Sequence, residues 1–227
     1  MIGILAGMGP KSTGPFIDQV ISSFQVLTGA KYDIDFPPMM IYSLPTPFYV
    51  DRPINHQLME HTICQGLKKL EACGATFLAM PCNAAHLYFI ELQRCTHIPL
   101  LNIVSSTLSR VPKSAKRITI LGTRPTLESQ IYQKGLQDAQ LSYVLHPIWQ
   151  QKVDAIIQCI KFSDDLEEAQ DLWADLSKRF HAEEVDTILI VCTDLNVVLK
   201  TVKSSFQIID SSACLAEAVV HKWNELK

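Results

Sequence analysis

The chain has 227 residues, of which 48% are hydrophobic and 19% are charged, so it can bury a substantial core and is too apolar to be disordered. Its 20 basic and 23 acidic residues give a formal net charge of -3 without a clustered basic stripe, which argues against a nucleic-acid partner. No apolar run reaches the roughly 20 residues of a membrane helix, so we expect no membrane partner either.

The N-terminus and the cysteines indicate the compartment. The chain opens on Met-Ile-Gly-Ile-Leu-Ala-Gly and has no basic stretch of the kind that begins a secretory signal. Its seven cysteines are scattered along the sequence. We therefore expect a soluble cytoplasmic protein whose thiols are reduced.

The N-terminal part of the chain predicts a βαβαβ order. Residues 2–6 predict a buried strand that runs into the turn 7–10, and Ser12 or Thr13 is positioned to cap the following helix. A second strand is predicted over residues 39–44, followed by a helix that Gly74 ends.

The glycine-rich turn at residues 7–10 does not match a nucleotide-binding motif. The third glycine of the dinucleotide fingerprint is missing, and a proline rather than a glycine precedes Lys11, which disfavours a phosphate loop. We expect the N–H groups of this turn to receive a carboxylate.

Two cysteines occupy matching positions in the sequence. One apolar run ends at Cys82 and Asn83, where a helix is predicted to begin, and the run 188–191 ends at Cys192 and Thr193 in the same way. The carboxyl ends of strands in open α/β sheets are where ligands bind. We therefore expect the two thiols to face one another across a small substrate.

The remaining elements indicate a duplicated fold. A helix near 83–93 and a strand over 99–103 precede the segment 117–125, which echoes the N-terminus and aligns Gly122 with Gly7. Gly122 follows Gly7 by 115 residues, and Cys192 follows Cys82 by 110 residues. Because these two offsets are nearly equal, the chain is predicted to hold two related lobes. A short strand at 142–146, helices at 149–161 and after Ser163, and a C-terminal helix that begins near Asp210 complete the prediction. Asp164 and Asp165 suit the first turn of the second of these helices.

The predicted fold is therefore α/β, with two similar lobes related by a pseudo-two-fold axis. Each lobe is a mostly parallel sheet flanked by helices, and the active site is expected between the lobes. The first lobe comprises 1–97 with 211–227 and carries Cys82, while the second comprises 98–210 and carries Cys192.

A facing pair of cysteines suits the inversion of a carbon acid, which needs a base on one face and an acid on the other. A thiol with an ordinary pKa of about 8.5 offers both protonation states once a helix N-terminus lowers that pKa. Cys82 and His86 also share a spacing that suits zinc, but no further ligand cluster accompanies them, so we expect His86 on the helix surface or behind the residues that touch substrate. The other five cysteines are expected to be structural: Cys64, Cys73, Cys95, Cys159 and Cys214.

Four segments of the chain resemble the cofactor-independent aspartate/glutamate racemases: 3–10, 80–86, 192–195 and 208–211. The resemblance covers almost the whole chain and implies two α/β lobes, no cofactor and no metal. It also implies that Cys82 and Cys192 are the catalytic acid/base pair for racemisation of an acidic amino acid, with aspartate ahead of glutamate.

The same resemblance implies a set of substrate-binding residues. Asn83 and Thr193 are expected near the α-carboxylate, with Met8 in the pocket wall. Arg52 in the loop after Asp51 is expected to bind the side-chain carboxylate, for which a guanidinium fork is suited. Lys161 resembles a lysine that some members use for the same group, although Ser163 stands where a glycine is expected.

Three positions depart from the family pattern. Ala84 replaces a substrate-side threonine, Val191 replaces a glycine, and Asp194 replaces a glutamate that orients the second cysteine or the substrate amine. These departures keep two alternatives open: a decarboxylase or cis-trans isomerase of a non-amino dicarboxylate, and an amino-acid-binding protein without turnover. We also expect a homodimer, the commonest assembly.

Overall fold

The computed structural model describes residues 1–49, 53–163, 166–199, 201 and 205–226. These residues fall into two compact units, 1–106 with 212–227 and 107–211. The division lies later than the predicted boundary at residue 97, because Leu100 pairs with Leu78 of the first sheet and Ile103 lies in its core.

The first unit contains a three-stranded parallel sheet of order β2-β1-β3. Its elements are β1 (Ile2–Ala6), α1 (Thr13–Thr28), β2 (Met39–Ser43), α2 (His56–Ala72), β3 (Phe77–Ala79), α3 (Phe89–Arg94) and α4 (Ile103–Leu108), with 3-10 helices at Pro10–Ser12, Asp33–Asp35 and Ala84–Tyr88. The predicted βαβαβ order is confirmed.

The second unit contains a parallel sheet of order β4-β5-β6. Its elements are β4 (Ile118–Leu121), α5 (Arg124–Glu128), α6 (Ile131–Asp138), α7 (Pro147–Phe162), α8 (Glu167–Ala182), β5 (Thr187–Ile190), a 3-10 helix (Thr193–Leu195), α9 (Asn196–Leu199) and β6 (Gln207–Asp210). The last helix, α10 (Ser211–Glu225), belongs to the first unit from Ser212 onward. The α/β class with two helix-flanked parallel sheets is confirmed.

The central strand of the first sheet is buried on both faces, which explains its continuous apolar sequence. Ile2 and Ile4 join a core with α1 and α10, while Leu5 joins a second core with α2. Alternation along the strand therefore supplies both cores. In the second unit, Ile188 and Ile190 of β5 pack into a core that α7 and α8 cover.

Helix ends follow local sequence signals in most places. The Asn55 side chain caps α2 by accepting from the Leu58 N–H at 3.0 Å. Gly74 follows this helix with φ at 88°, a conformation that glycine adopts without strain. Ser12 lies at the N-cap of α1 but does not cap it, because its hydroxyl donates to the Gly9 carbonyl at 2.8 Å. The predicted role of Asp164 and Asp165 lies outside the described residues.

Two predicted strands are reduced to single bridges. The segment 99–103 pairs only through Leu100 with Leu78, and 142–146 pairs only through Tyr143 with Ile118. The first of these predictions fails because Asn102 accepts from the Val104 N–H at 2.9 Å and starts α4.

These bridges give both units the same order of positions across the sheet. The first unit reads β2, β1, β3 and Leu100, and the second reads Tyr143, β4, β5 and β6. In each unit, the strand before a cysteine lies between the N-terminal strand of that unit and the segment leading into a later helix. This shared order supports the predicted duplication.

The expectation of reduced thiols is wrong for one pair. Cys64 of α2 and Cys95 after α3 form a disulfide, with their Cα atoms 5.9 Å apart. The helices bring together two residues that are 31 positions apart in the sequence, a proximity that sequence alone does not reveal. Among the described residues, no helix is both long and apolar enough to span a membrane.

Candidate active site

The turn that carries Cys82 follows β3 directly. After Ala79 the chain passes through buried Met80 and reaches Cys82, whose N–H donates to the Met80 carbonyl at 2.8 Å. A 3-10 helix then starts at Ala84, where an α-helix was predicted. The Cys82 side chain is half-buried, and Asn83 beside it is buried.

The same end of the sheet brings Met8 towards Cys82. β1 and β3 are hydrogen-bonded neighbours with Ile4 opposite Ala79, so the segments that leave them emerge side by side. Met8 and Cys82 both pack against one core cluster, together with Leu44 and Tyr88. Met8 and Cys82 thus contact one core in the first unit, and the place of Met8 in a pocket wall stays a prediction.

The turn at residues 7–10 is not fully open to a carboxylate. The Gly7 N–H already donates to the Thr13 hydroxyl at 3.2 Å, and the Ser12 N–H donates to the Gly9 carbonyl at 3.2 Å. The predicted anion-binding role therefore does not apply to the Gly7 N–H. Gly7 itself has φ at 92°, which a residue with a side chain rarely adopts.

Sequence reasoning missed Tyr88, whose hydroxyl interacts electrostatically with the Cys82 thiol. Its hydroxyl and His56 Nδ1 are 2.8 Å apart. Burial raises the pKa of Tyr88, and the negative charges of Glu60 and of an ionised Cys82 raise it further. The signal was weak, because an aromatic residue in a 3-10 helix resembles ordinary core.

His86 is buried rather than on a helix surface, so the first of its two predicted locations is wrong, whereas a location behind the residues that touch substrate fits its burial. Only 3% of the residue is exposed, and its Nδ1 lies 2.8 Å from the Cys82 carbonyl oxygen. Within the described ranges 1–49, 53–163, 166–199, 201 and 205–226, no group of three or more His, Cys, Asp or Glu side chains is arranged to hold a metal ion.

Cys192 occupies the matching turn of the second unit. It follows β5 and Val191, precedes the 3-10 helix Thr193–Leu195, and is 7% exposed. Thr193 and Asp194 beside it are also buried. Both cysteines are thus followed by a 3-10 turn and then a short α-helix.

The expected lowering of a thiol pKa by a helix N-terminus does not hold for Cys192. Burial raises the pKa of its thiol to about 12, and the Asp194 carboxylate adds to the rise. The N–H groups of Asp194 and Leu195 and the Lys161 charge oppose the rise without overcoming it. At neutral pH this thiol is therefore protonated.

Lys161 lies beside the second cysteine. Its Nζ forms an ion pair of 2.8 Å with the Asp194 carboxylate, which comes two residues after Cys192. α7 carries the lysine, and its buried face packs in the same core as Cys192. The structure thus gathers Lys161, Thr193 and Asp194 around Cys192, while Asp51 and Arg52 lie outside the described residues.

Comparison with known proteins points in one direction. The family model described as Asp/Glu/hydantoin racemase matches residues 5–219. The broad specificity amino-acid racemase RacX of Bacillus subtilis (strain 168) is 50% identical over 220 residues, which are 97% of this chain and 96% of that protein.

Solved structures agree with this result. An aspartate racemase from Picrophilus torridus is 28% identical with a TM-score of 0.83, over 98% of this chain and 94% of that one. An aspartate racemase homologue from Pyrococcus horikoshii OT3 is 22% identical with a TM-score of 0.78, over 98% of both chains, and supports the fold alone.

Proposed function

Since the chain belongs to the Asp/Glu/hydantoin racemase family and is an isomerase of the amino-acid racemase type, we propose that it racemises amino acids by two-base proton transfer between Cys82 and Cys192. The single observation that carries this proposal is the repetition of one cysteine-bearing turn at the same sheet position in both units. Racemisation in both directions requires two groups that can each remove and donate a proton, and the duplicated turn supplies two thiols for this role.

In the proposed step, the Cys82 thiolate removes the α-proton of the bound amino acid. The C–H electron pair remains on the α-carbon and delocalises into the carboxylate, and the Cys192 thiol donates its proton to the opposite face. The cycle ends with Cys82 as thiol and Cys192 as thiolate, the state that accepts the other enantiomer. Each transfer contributes about 10²–10⁴ in rate.

We infer that Cys192 is the acid in the resting enzyme, and the surroundings of its thiol support this role. With a pKa raised to about 12 by burial, its thiol holds a proton at neutral pH. In the opposite direction Cys192 must become a thiolate, and Lys161 and the N–H groups of Asp194 and Leu195 are the groups that favour this form. Asp194 therefore orients Lys161 close to the second thiol.

The remaining positions are proposed to bind substrate. Asn83 and Thr193 follow the two cysteines directly, so we assign them to the α-carboxylate. Met8 is assigned to the pocket wall and Ala84 to the position beside Asn83. Arg52 is retained for a side-chain carboxylate.

We propose a broad substrate range that includes aspartate and glutamate, with aspartate ahead of glutamate. The breadth is supported by the likeness to a racemase described as broad in specificity, and the acidic members by the likeness to an aspartate racemase. The ion pair between Lys161 and Asp194 also supports breadth, because it offsets a charge that would otherwise favour acidic side chains. A homodimer and a cytoplasmic location stay predictions.

The proposal is tested by chiral chromatography of a panel of L- and D-amino acids incubated with the enzyme. We expect mirror-image product from several amino acids, including aspartate, and none from Cys82→Ser or Cys192→Ser. Cys214→Ser is the matched control, since this buried cysteine lies on α10 and should leave turnover intact. No racemisation of any amino acid, or full activity in either of the first two variants, would contradict the proposal.

A further inference from the structure

In both units, the side chain four residues after the cysteine forms a hydrogen bond close to the start of a later helix, α4 in the first unit and α10 in the second. In the first unit this residue is His86, whose Nδ1 donates to the Cys82 carbonyl at 2.8 Å. Its Nε2 accepts from the Ile103 N–H at 3.2 Å, at the first residue of α4. One imidazole thus joins the cysteine turn to the point where the next segment becomes a helix.

This pattern requires a neutral imidazole with its proton on Nδ1. Full burial lowers the pKa of His86, although the Cys82 and Leu101 carbonyls oppose that shift. The ring also stacks on Phe89, with the ring centroids 5.8 Å apart. These contacts fix the orientation of the ring, whose Nε2 also lies 3.3 Å from the Leu101 carbonyl oxygen, and burial favours the neutral imidazole.

In the second unit the corresponding residue is Asn196, four residues after Cys192. Its Nδ2 donates to Asp210 Oδ1 at 3.0 Å. Asp210 is the last residue of β6 and immediately precedes α10. Asn196 is 9% exposed, so this amide also joins a cysteine turn to the end of the next strand from a buried position.

The two connections are equivalent because the sheets share one order of positions. Leu100 lies beside β3 as β6 lies beside β5, and a helix begins soon after each of them, at Ile103 in the first unit and at Ser211 in the second. His86 makes its connection through two backbone groups, and Asn196 makes its connection through the Asp210 side chain. In both units, a buried polar side chain four residues after the cysteine thus contacts either the first residue of the following helix or the residue directly before it.

We propose that His86 and Asn196 are equivalent positioning residues, each of which holds one cysteine of the pair at the distance that proton transfer requires. The inference rests on the proposed function of Cys82 and Cys192. Neither side chain needs to touch the substrate, since His86 acts through the Cys82 carbonyl and Asn196 acts by tying the segment after Cys192 to Asp210. A displacement of about 1 Å of a reacting group costs about 10²-fold in rate, so we expect a loss of about 10- to 100-fold in kcat/KM.

Two apolar variants of similar size test the proposal, His86→Leu and Asn196→Leu, each assayed with both α-deuterated enantiomers of aspartate. If the panel ranks another amino acid first, that amino acid replaces aspartate. If a variant misplaces one thiol, removal of the α-proton by that thiol becomes slower and limits the rate. The deuterium isotope effect on kcat/KM should therefore rise with the enantiomer that this thiol deprotonates and fall with the other. The two variants should show this asymmetry with opposite enantiomers.

Rescue variants separate positioning from folding. His86→Asn keeps a donor near the position of Nδ1 and should recover part of the rate that His86→Leu loses. Reversing the second hydrogen bond with Asn196→Asp and Asp210→Asn together should recover activity that Asn196→Asp alone loses. If His86→Leu does not fold, Asn196→Leu and the reversal pair still decide the question.

A fall in kcat/KM with unchanged isotope effects for both enantiomers would overturn the positioning role, because it is the result of fewer folded molecules. Full activity in all of these variants would overturn it as well. Failure of the proposed function gives a different result, since Cys82→Ser and Cys192→Ser would then retain turnover. The same preparations therefore distinguish the two failures.

Discussion

The two units share one order of sheet positions but differ in the chemistry around their cysteines. In the first unit Cys82 is half-buried, with a neutral His86 fixed behind it and the hydroxyl of Tyr88 in its field. In the second unit Cys192 is buried, with the ion pair of Lys161 and Asp194 beside it.

The difference separates what the backbone determines from what the side chains determine. The shared turn places a thiol at the carboxyl end of a strand in each unit, whatever surrounds it. Burial and neighbouring charges then decide the protonation state of the thiol. A symmetric scaffold thus holds two thiols that are not chemically equivalent, and each of the following changes should affect one unit more than the other.

The largest expected difference concerns alkaline pH and the second unit. In the unfolded chain the Cys192 thiol loses its proton near the ordinary cysteine pKa of 9.0, whereas burial in the folded chain raises that pKa to about 12. Because the unfolded state then binds fewer protons, the free energy of unfolding falls as pH rises above 9, by roughly 2.7 kcal/mol at pH 11 and by roughly 4 kcal/mol above pH 12. Urea unfolding between about pH 8 and pH 11, followed by the fluorescence of Trp149 and Trp173, measures this decline.

Two variants make the alkaline test specific. Cys192→Ala should flatten the decline, whereas Cys82→Ala should retain it. A decline of equal size in the wild type and Cys192→Ala would show that another group is responsible.

The next effect concerns the disulfide in the first unit. Cys64 and Cys95 close a loop of 31 residues, and a cross-link of this span stabilises the folded state by about 3 to 4 kcal/mol. Reduction should increase hydrogen exchange in α2 and α3 and leave β4 and β5 protected. The double variant with Cys64→Ala and Cys95→Ala should not respond to reductant. Alkylation of both thiols in unreduced native protein would contradict this prediction.

A smaller effect distinguishes the two aligned glycines. A Cβ at Gly122 would lie 2.6 Å from Val191 Cγ2, a stiff and buried side chain, so Gly122→Ala should cost about 1–3 kcal/mol of unfolding free energy. Adding Val191→Ala should recover that loss. At Gly7 the clash is with the Leu44 backbone nitrogen at 2.6 Å, and φ is positive, so no side-chain truncation should rescue Gly7→Ala.

Thermal and urea unfolding of these variants measure the comparison. Gly14→Ala is the control, because a Cβ there meets nothing within 4 Å and should leave stability nearly unchanged. If Val191→Ala fails to rescue Gly122→Ala, the proposed fit between these two residues is wrong.

The smallest expected effect is a loss of unfolding free energy at acidic pH, caused by His86 in the first unit. Burial lowers the pKa of His86, so the unfolded state binds a proton first as pH falls below the ordinary value of 6.5. The free energy of unfolding should therefore decrease below that pH, and the decrease should be weaker in His86→Asn. The fluorescence of Trp223 on α10 reports unfolding of the first unit. If the free energy of unfolding decreases equally below this pH in the wild type and in His86→Asn, the assignment of a neutral buried imidazole is wrong.

The sequence was sufficient for the strands and long helices because their signals are local. Residues 2–6 form a continuous apolar run, residues 118–121 form one interrupted only by Thr119, and α7 and α8 show a clear helical period. The segments 99–103 and 142–146 were predicted as strands because apolar composition does not show where a neighbouring strand stops pairing. The disulfide of Cys64 and Cys95 depends on how two helices pack, which no local pattern records.

For the candidate site, sequence patterns indicated the positions of the two cysteines at strand ends but not the surroundings of their thiols. Matching sequence contexts predicted Cys82 and Cys192 as a pair, and the structure adds the ion pair of Lys161 and Asp194 beside Cys192. The raised pKa of Cys192 was missed because burial outweighs nearby N–H groups, and burial is a property of the folded chain. The sequence left His86 either on a helix surface or behind the residues that touch substrate, because a lone polar residue in a short helical segment carries no signal of its hydrogen-bond partners.

Two-base transfer is tested most directly by racemisation in deuterated water, with mass analysis of both enantiomers at early conversion. If Cys82 and Cys192 act on opposite faces, the newly formed enantiomer carries solvent deuterium, while the remaining substrate keeps its α-proton. Product that retains the original α-proton would indicate a single base that returns the proton it removed. That result would contradict the central claim.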